Sequence, residues 1–166
     1  MRYFLFVLAL LIAVGCGPKK PATAALAISL QSECPTNGDC SIEVFQNKTL
    51  LVKQDEFGSL HYTIEDDLQK KIIKYTYSKK VKGNLQDAGY REEIIFELAN
   101  FDPIKLGPSS LQNAKMLFGR FCFCRGQTGY YKVTEGTFEI ENQIATLQFK
   151  VPEVPQITNE IRFSIP

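Results

Sequence analysis

Tryptophan is absent from this 166-residue chain, and histidine occurs once, at position 61. The histidine count excludes a catalytic zinc centre built on several imidazoles, and the missing indole removes the side chain best suited to a sugar-stacking platform. Charge of one dominant sign is lacking as well, with 19 Lys and Arg against 18 Asp and Glu. Net charge therefore draws in no polyanion, and nucleic acid is not expected as a partner. No P-loop, dinucleotide fingerprint, EF-hand loop or HExxH pattern is present, and nothing in the sequence implies a cofactor. Apolar runs of membrane-spanning length are also missing. The unbroken apolar stretch from Tyr3 to Val14 is too short to cross a bilayer as a helix.

That stretch follows Arg2 and ends in Gly15-Cys16, so the order is one basic residue, an apolar run, a small residue and a cysteine. Ala13-Val14-Gly15-Cys16 resembles the lipobox of bacterial lipoproteins. The resemblance implies cleavage before Cys16 and a diacylglycerol on its thiol, with Ala13 departing from the usual Leu or β-branched residue. Residues 1–15 are then a signal peptide. Residues 16–24, running through GPKKPATA, form a tether without apolar period, and 25–166 form the domain. Gly17 after the cysteine, in place of an Asp that retains such proteins in the inner membrane, implies the periplasmic face of the outer membrane.

Removing residues 1–15 of the 166 leaves 151, a length suited to one domain with a real core. Assigning Cys16 to lipid leaves Cys34, Cys40, Cys122 and Cys124, an even number in an exported chain, which predicts two disulfides. Same-face neighbours on an extended strand lie ~6.6 Å apart, near the upper limit for a bridge. Two long-range bridges are therefore favoured, joining the 34–40 region, drawn together by an Asn37-Gly38 turn, to the 122–124 region.

From about residue 23 onward the apolar period is two, starting with 23–31. Segments 58–65 and 70–78 alternate and are expected to pair as a hairpin about a polar turn at Glu65 to Gln69. Segment 90–98 turns Ile94, Phe96 and Leu98 inward and Glu93, Ile95 and Glu97 outward. Segment 115–125 is apolar on both faces, as in a central strand covered on both sides. Within 129–140 the inward parity changes, which suggests a bulge at Gly136. Segments 41–46, 49–54, 144–151 and a final run through Ile161, Phe163 and Ile165 complete eight to ten short strands, with a helical turn or two over Ser109 to Leu117. The fold class is all-β, an antiparallel β-sandwich, with a small β-barrel as the alternative. Leu60, Tyr62, Ile64, Phe121, Phe123, Leu147, Phe149 and Phe163 join Ile94, Phe96 and Leu98 in the expected core.

Few residues suggest chemistry. His61 falls on an outward strand face, without a nucleophile motif nearby. Glu65-Asp66-Asp67 is a weak calcium pattern, and the acidic pairs Glu92–Glu93 and Glu139/Glu141 carry no sign of the facing geometry a glycosidase needs. Lys70, Lys71, Lys74, Lys79, Lys80 and Lys82 crowd one hairpin arm. They read either as a solubilised edge strand or as a contact face for acidic headgroups. The expectation is a non-catalytic binding or scaffolding domain whose partners are the membrane, through its lipid, and an unidentified envelope protein or glycan. A small glycan-acting enzyme, or a redox or metal protein using Cys122 and Cys124, is the alternative.

Overall fold

The computed structural model describes residues 28–81, 83 and 89–166. The signal segment, Cys16, the tether and Lys82 lie outside the described residues, as do 23–27 of the first expected strand. Ten strands are present among the described residues: β1 (Ser29–Leu30), β2 (Gly38–Gln54), β3 (Leu60–Lys79), β4 (Tyr90–Leu98), β5 (Ile104–Leu106), β6 (Leu117–Cys122), β7 (Gly129–Lys132), β8 (Glu135–Glu141), β9 (Ile144–Lys150) and β10 (Glu160–Ser164). They form two antiparallel sheets packed as a β-sandwich, one in the order β1-β10-β9-β8-β5 and the other β2-β3-β4-β6-β7. The helical expectation reduces to a 3-10 turn over Leu111–Ala114.

Between the sheets, alternating residues interdigitate as their period demands. Ile73, Tyr75, Tyr77, Ile94, Phe96 and Phe118 meet Phe138, Leu147, Phe149, Ile161 and Phe163. Phe96 lies edge-on to Phe138 with ring centroids 5.2 Å apart, and Phe118 packs on Phe149 at 5.9 Å.

The second sheet closes on itself. Leu60 at the start of β3 pairs with Tyr130 of β7, while Lys71 to Ser78 at the other end of β3 pair with β4. A second small core of Leu50, Ile72, Ile95 and Leu117 fills the inside of this closure, with Tyr62 and Tyr130 packed against it. The sandwich thus contains a barrel-like half.

Several expectations change, each for a physical reason. The expected hairpin over 58–78 is one continuous 20-residue strand, and 41–54 likewise forms one strand with a bulge at Asn47, where φ is 57°. The polar stretch Glu65 to Gln69 contains no glycine or proline, and β2 continues to pair with it, Glu65 opposite Thr49 and Asp66 opposite Lys48. Between Leu60 and Lys71, however, β3 is flanked by β2 alone, so Ile64 is exposed and not core. The parity change in 129–140 marks a crossing from one sheet to the other between Lys132 and Glu135, not a bulge at Gly136. Gly136 is paired in register with Phe149, and a Cβ there would lie 2.1 Å from the Gln148 carbonyl oxygen. Glu93, Ile95 and Glu97, expected outward, are buried because the closure covers that face. Phe123, expected in the core, is 83 % exposed because β6 ends at Cys122 and alternation stops with it.

The disulfides are local, Cys34–Cys40 and Cys122–Cys124, which corrects the long-range pairing. The turn through Asn37, at φ 63°, returns the chain so that Cys34 and Cys40 have Cα atoms 5.7 Å apart. At Phe123 the backbone leaves the extended form, which shortens the Cys122 to Cys124 Cα distance to 5.1 Å, inside the bridging range.

Candidate functional site

The centre of the closed sheet is strand β4, whose residues from Glu92 to Leu98 are all buried, three glutamates among them. Alternation points Glu93 and Glu97 into the closure and Glu92 toward the opposite sheet. Burying an unpaired carboxylate is costly, so each must find donors.

Oε2 of Glu97 accepts from Thr49 Oγ1 at 2.7 Å, the Leu50 backbone N–H at 2.9 Å and Lys115 Nζ at 3.0 Å. Burial works to raise its pKa, but these three donors outweigh burial and hold it below the ordinary carboxylate value. Lys70 Nζ approaches the other oxygen at 3.7 Å. Glu93 accepts from the Tyr130 hydroxyl at 2.7 Å and from Arg91, with Lys74 Nζ at 3.6 Å. Burial, and next the hydrogen bond given to Glu93, push the Tyr130 hydroxyl far above the ordinary tyrosine value.

On the other face, Glu92 accepts from the Ile157 N–H at 2.6 Å and the Thr158 N–H at 2.8 Å, so its carboxylate holds the loop between β9 and β10. The Tyr90 hydroxyl also donates to Glu92, at 2.5 Å, and its pKa is pushed up to about 12 by burial and then by that bond. Arg120 completes the cluster. Its Nε reaches the Tyr90 oxygen at 3.4 Å, and its Nη1 donates to the Gln127 carbonyl and side-chain oxygens at 3.1 and 2.9 Å, which secures the loop between β6 and β7. These buried charges tie strands and loops to one another.

The five lysines of that arm among the described residues do not form one face. Lys70 and Lys74 turn inward to Glu97 and Glu93, Lys71 reaches the Ala99 carbonyl and lies 5.5 Å over the Phe101 ring, and Lys80 pairs with Asp39 at 2.9 Å. Lys79 is exposed. Asp66 pairs with Lys48 at 2.5 Å while Asp67 accepts from the Gln69 N–H, so the acidic triplet is split between different partners. Glu139 and Glu141 share one outer face and line a shallow polar groove with Thr146 and Arg162. His61 is exposed opposite Lys53.

Two exposed phenylalanines stand out instead. Phe57, 85 % exposed, sits at the tip of the β2–β3 turn. Asp55 Oδ1 accepts from the Phe57 and Ser59 N–H groups at 2.9 and 2.8 Å, and Gln54 Nε2 donates to the Gly58 carbonyl, so the turn is fixed while its aromatic ring faces water. Phe123 is held out by the bridge on either side of it. A disulfide enclosing so few residues adds little through chain entropy, ~1.5 kcal/mol against ~2.5 for the seven-residue loop from Cys34 to Cys40. Its effect is to fix the loop tip.

The 123–128 loop separates two grooves. One, of about 580 Å³, runs between Phe57 and Leu60 on one side and Gly126, Thr128 and Tyr130 on the other. The second, of about 540 Å³, is lined by Lys79, Tyr90, Arg91, Phe121, Cys122 and Phe123. Arg91 stacks over the Phe121 ring at 4.3 Å and makes the floor of this second groove both aromatic and cationic. Sequence reasoning missed Phe57 and placed Phe123 in the core. The Asp55-Glu56-Phe57-Gly58-Ser59 turn was the available signal for the first, and the one-residue spacing of Cys122 and Cys124 for the second.

Comparison of the chain with protein-family models, with curated proteins and with solved structures finds no match.

Proposed function

We propose that the protein is a bacterial lipoprotein of the outer membrane, anchored through Cys16 on the periplasmic side, whose β-sandwich binds or scaffolds an envelope partner and does not catalyse. The lipobox-like Ala13 to Cys16 and the tether after it support the anchor. One observation carries the binding role: two exposed aromatic rings, Phe57 and Phe123, stand on turns fixed by hydrogen bonds or by a disulfide, each beside a groove of the same loop. An aromatic anchor already held in place loses little freedom on association, and such side chains dominate interface energies. A protein partner suits phenylalanine tips better than a glycan, which favours indole platforms.

The test has two arms. Detergent-phase partitioning of wild type and Cys16→Ser reads the anchor, and equal recovery of both in the aqueous phase refutes it. Crosslinking in intact membranes with a photoreactive residue at position 57 or 123 reads the binding surface. The expected result is one discrete adduct from those two positions and none from position 53 on the exposed ribbon. Equal labelling from all three positions refutes the binding surface.

A further inference from the structure

We infer that the Cys122–Cys124 bridge is a thiol–disulfide exchange site, which takes reduced cysteine-pair segments of exported proteins that lay an apolar side chain against Phe123. This goes beyond the binding role; it rests on the proposed export of the chain, not on the lipid at Cys16.

The two disulfides of this domain differ in kind. Cys34–Cys40 joins the chain before β2 to the start of that strand, and the residues it joins pack against the main core. Cys122–Cys124 encloses Phe123 alone, at the end of β6, where that side chain is 83 % exposed. The cysteines of both bridges are part-exposed, so access alone does not separate them; the bridge closing so short a loop constrains the unfolded chain least, and it alone carries a solvent-facing aromatic residue between its cysteines.

Its surroundings suit the chemistry. Cys122, not Cys124, lines the groove with Tyr90, Phe121 and Phe123, so a segment lying there rests beside Cys122 and the bridge it makes. Lys79 lines the same groove, as does Arg91, whose charge is shared with Glu93, and Arg125 follows Cys124, so a thiolate released there lies near cationic side chains. The aromatic floor supplies selectivity for an apolar neighbour of the incoming cysteine.

The step balances as follows. A thiolate of the segment attacks Cys122 Sγ, a mixed disulfide forms, the Cys122–Cys124 bond breaks and Cys124 leaves as a thiolate. The second thiolate of the segment then attacks its own sulfur in the mixed disulfide and releases Cys122 as a thiolate. The segment is oxidised by two electrons to a disulfide, the Cys122–Cys124 pair is reduced by two, and the protons from the segment's thiols pass to the two released thiolates. The reverse sequence, with the disulfide of another exported protein as oxidant, restores the bridge.

The experiment uses the full chain carrying Cys16→Ser in detergent, so that no other thiol competes. Across a series of reduced and oxidised glutathione mixtures, alkylation and peptide mass mapping should show Cys122–Cys124 half open at a reducing ratio about tenfold or more below that needed for Cys34–Cys40. A synthetic Cys-Ser-Ser-Cys peptide flanked by phenylalanine should be oxidised about fivefold faster than one flanked by serine, and Phe123→Ser, which leaves both cysteines in place, should bring that ratio to about one. The inference is overturned if the two bridges open together, if the flanking residue makes no difference in the wild type, or if the preference survives Phe123→Ser.

Discussion

Inside the closed sheet the Lys115 ammonium donates to Glu97 at 3.0 Å and also to the Leu50 carbonyl at 2.7 Å, so one cation joins three elements: the end of the 3-10 turn, strand β4 and strand β2. Lys115 itself has left-handed backbone geometry, φ 48°, at the end of the 3-10 turn. The turn thereby delivers the cation to a buried carboxylate.

Glu97→Gln should accordingly lower stability by about 1–3 kcal/mol, because charged hydrogen bonds are replaced by neutral ones in a buried place. The sign of the pH effect follows from its lowered pKa. Its contribution is fully present above the carboxylate's unfolded value of about 4.3, and is lost as pH falls through the lower folded value. Urea midpoints measured from neutral pH down to pH 3 should fall less steeply for Glu97→Gln than for wild type. Parallel pH profiles would contradict this.

Tyr90 acts at the other end of the scale. Its pKa rises from 10.0 to about 12 in the fold, so its stabilising effect is complete below pH 10 and disappears as pH climbs toward 12. Tyrosinate absorbance at high pH should show a late-ionising group that Tyr90→Phe removes. A titration curve unchanged by that substitution overturns the assignment.

Glu92→Ala strips two backbone donors of their acceptor, that of Ile157, whose hydrogen bond is part-buried, and that of the buried Thr158. The orphaned Thr158 donor, being buried, costs about 1–3 kcal/mol, and the Ile157 donor costs less because water reaches it. Hydrogen exchange at those two amides should accelerate far more than at Leu147 or Phe149 in the neighbouring strand.

Phe96→Ala should cost about 3–5 kcal/mol through the cavity left against Phe138, whereas Thr63→Ala, on the exposed ribbon, should change the denaturation midpoint little. Matching midpoints for the two variants would refute the core assignment.

Non-reducing peptide mapping should find only the two local bridges. Cys40→Ser in a Cys34→Ser background should cost less than Cys40→Ser alone, because the single variant leaves a free thiol able to mispair. Any peptide joining the 34–40 region to the 122–124 region overturns the local pairing.

Much of the sandwich was legible because its strands obey period two with one face buried: Ile94, Phe96 and Leu98, or Leu147, Phe149 and Val151, can face only the core. What alternation could not reveal is that the sheet containing β4 closes and buries the other face too. Glu93 and Glu97 look like outward residues until Thr49, Lys70, Lys74, Lys115 and Tyr130 are brought to them from distant segments. The lysine arm was misleading for the same reason, since a cation's partner across a closure leaves no local trace. Of the candidate site, the cysteines were visible by type and number, but extended spacing puts Cys122 and Cys124 near the upper limit for a bridge, and the bend at Phe123 that brings them closer leaves no mark in residue spacing.

Closure of β3 onto β7 also bears on self-association. Open sheets aggregate by adding strands from other molecules to unpaired margins, and a margin that is itself paired offers no template. Over the described residues, the first sheet ends in strands of two and three residues, β1 and β5. That leaves two long margins, the part of β3 between Leu60 and Lys71, which carries Glu65, Asp66 and Asp67, and β2, where Asn47 interrupts the ladder while Asp39, Glu43, Lys48 and Lys53 distribute charge of both signs along its length. The longer margin, β2, is thus both kinked and charged, and replacing Lys48 and Lys53 by valine should convert a dispersed protein into one that forms thioflavin-positive aggregates.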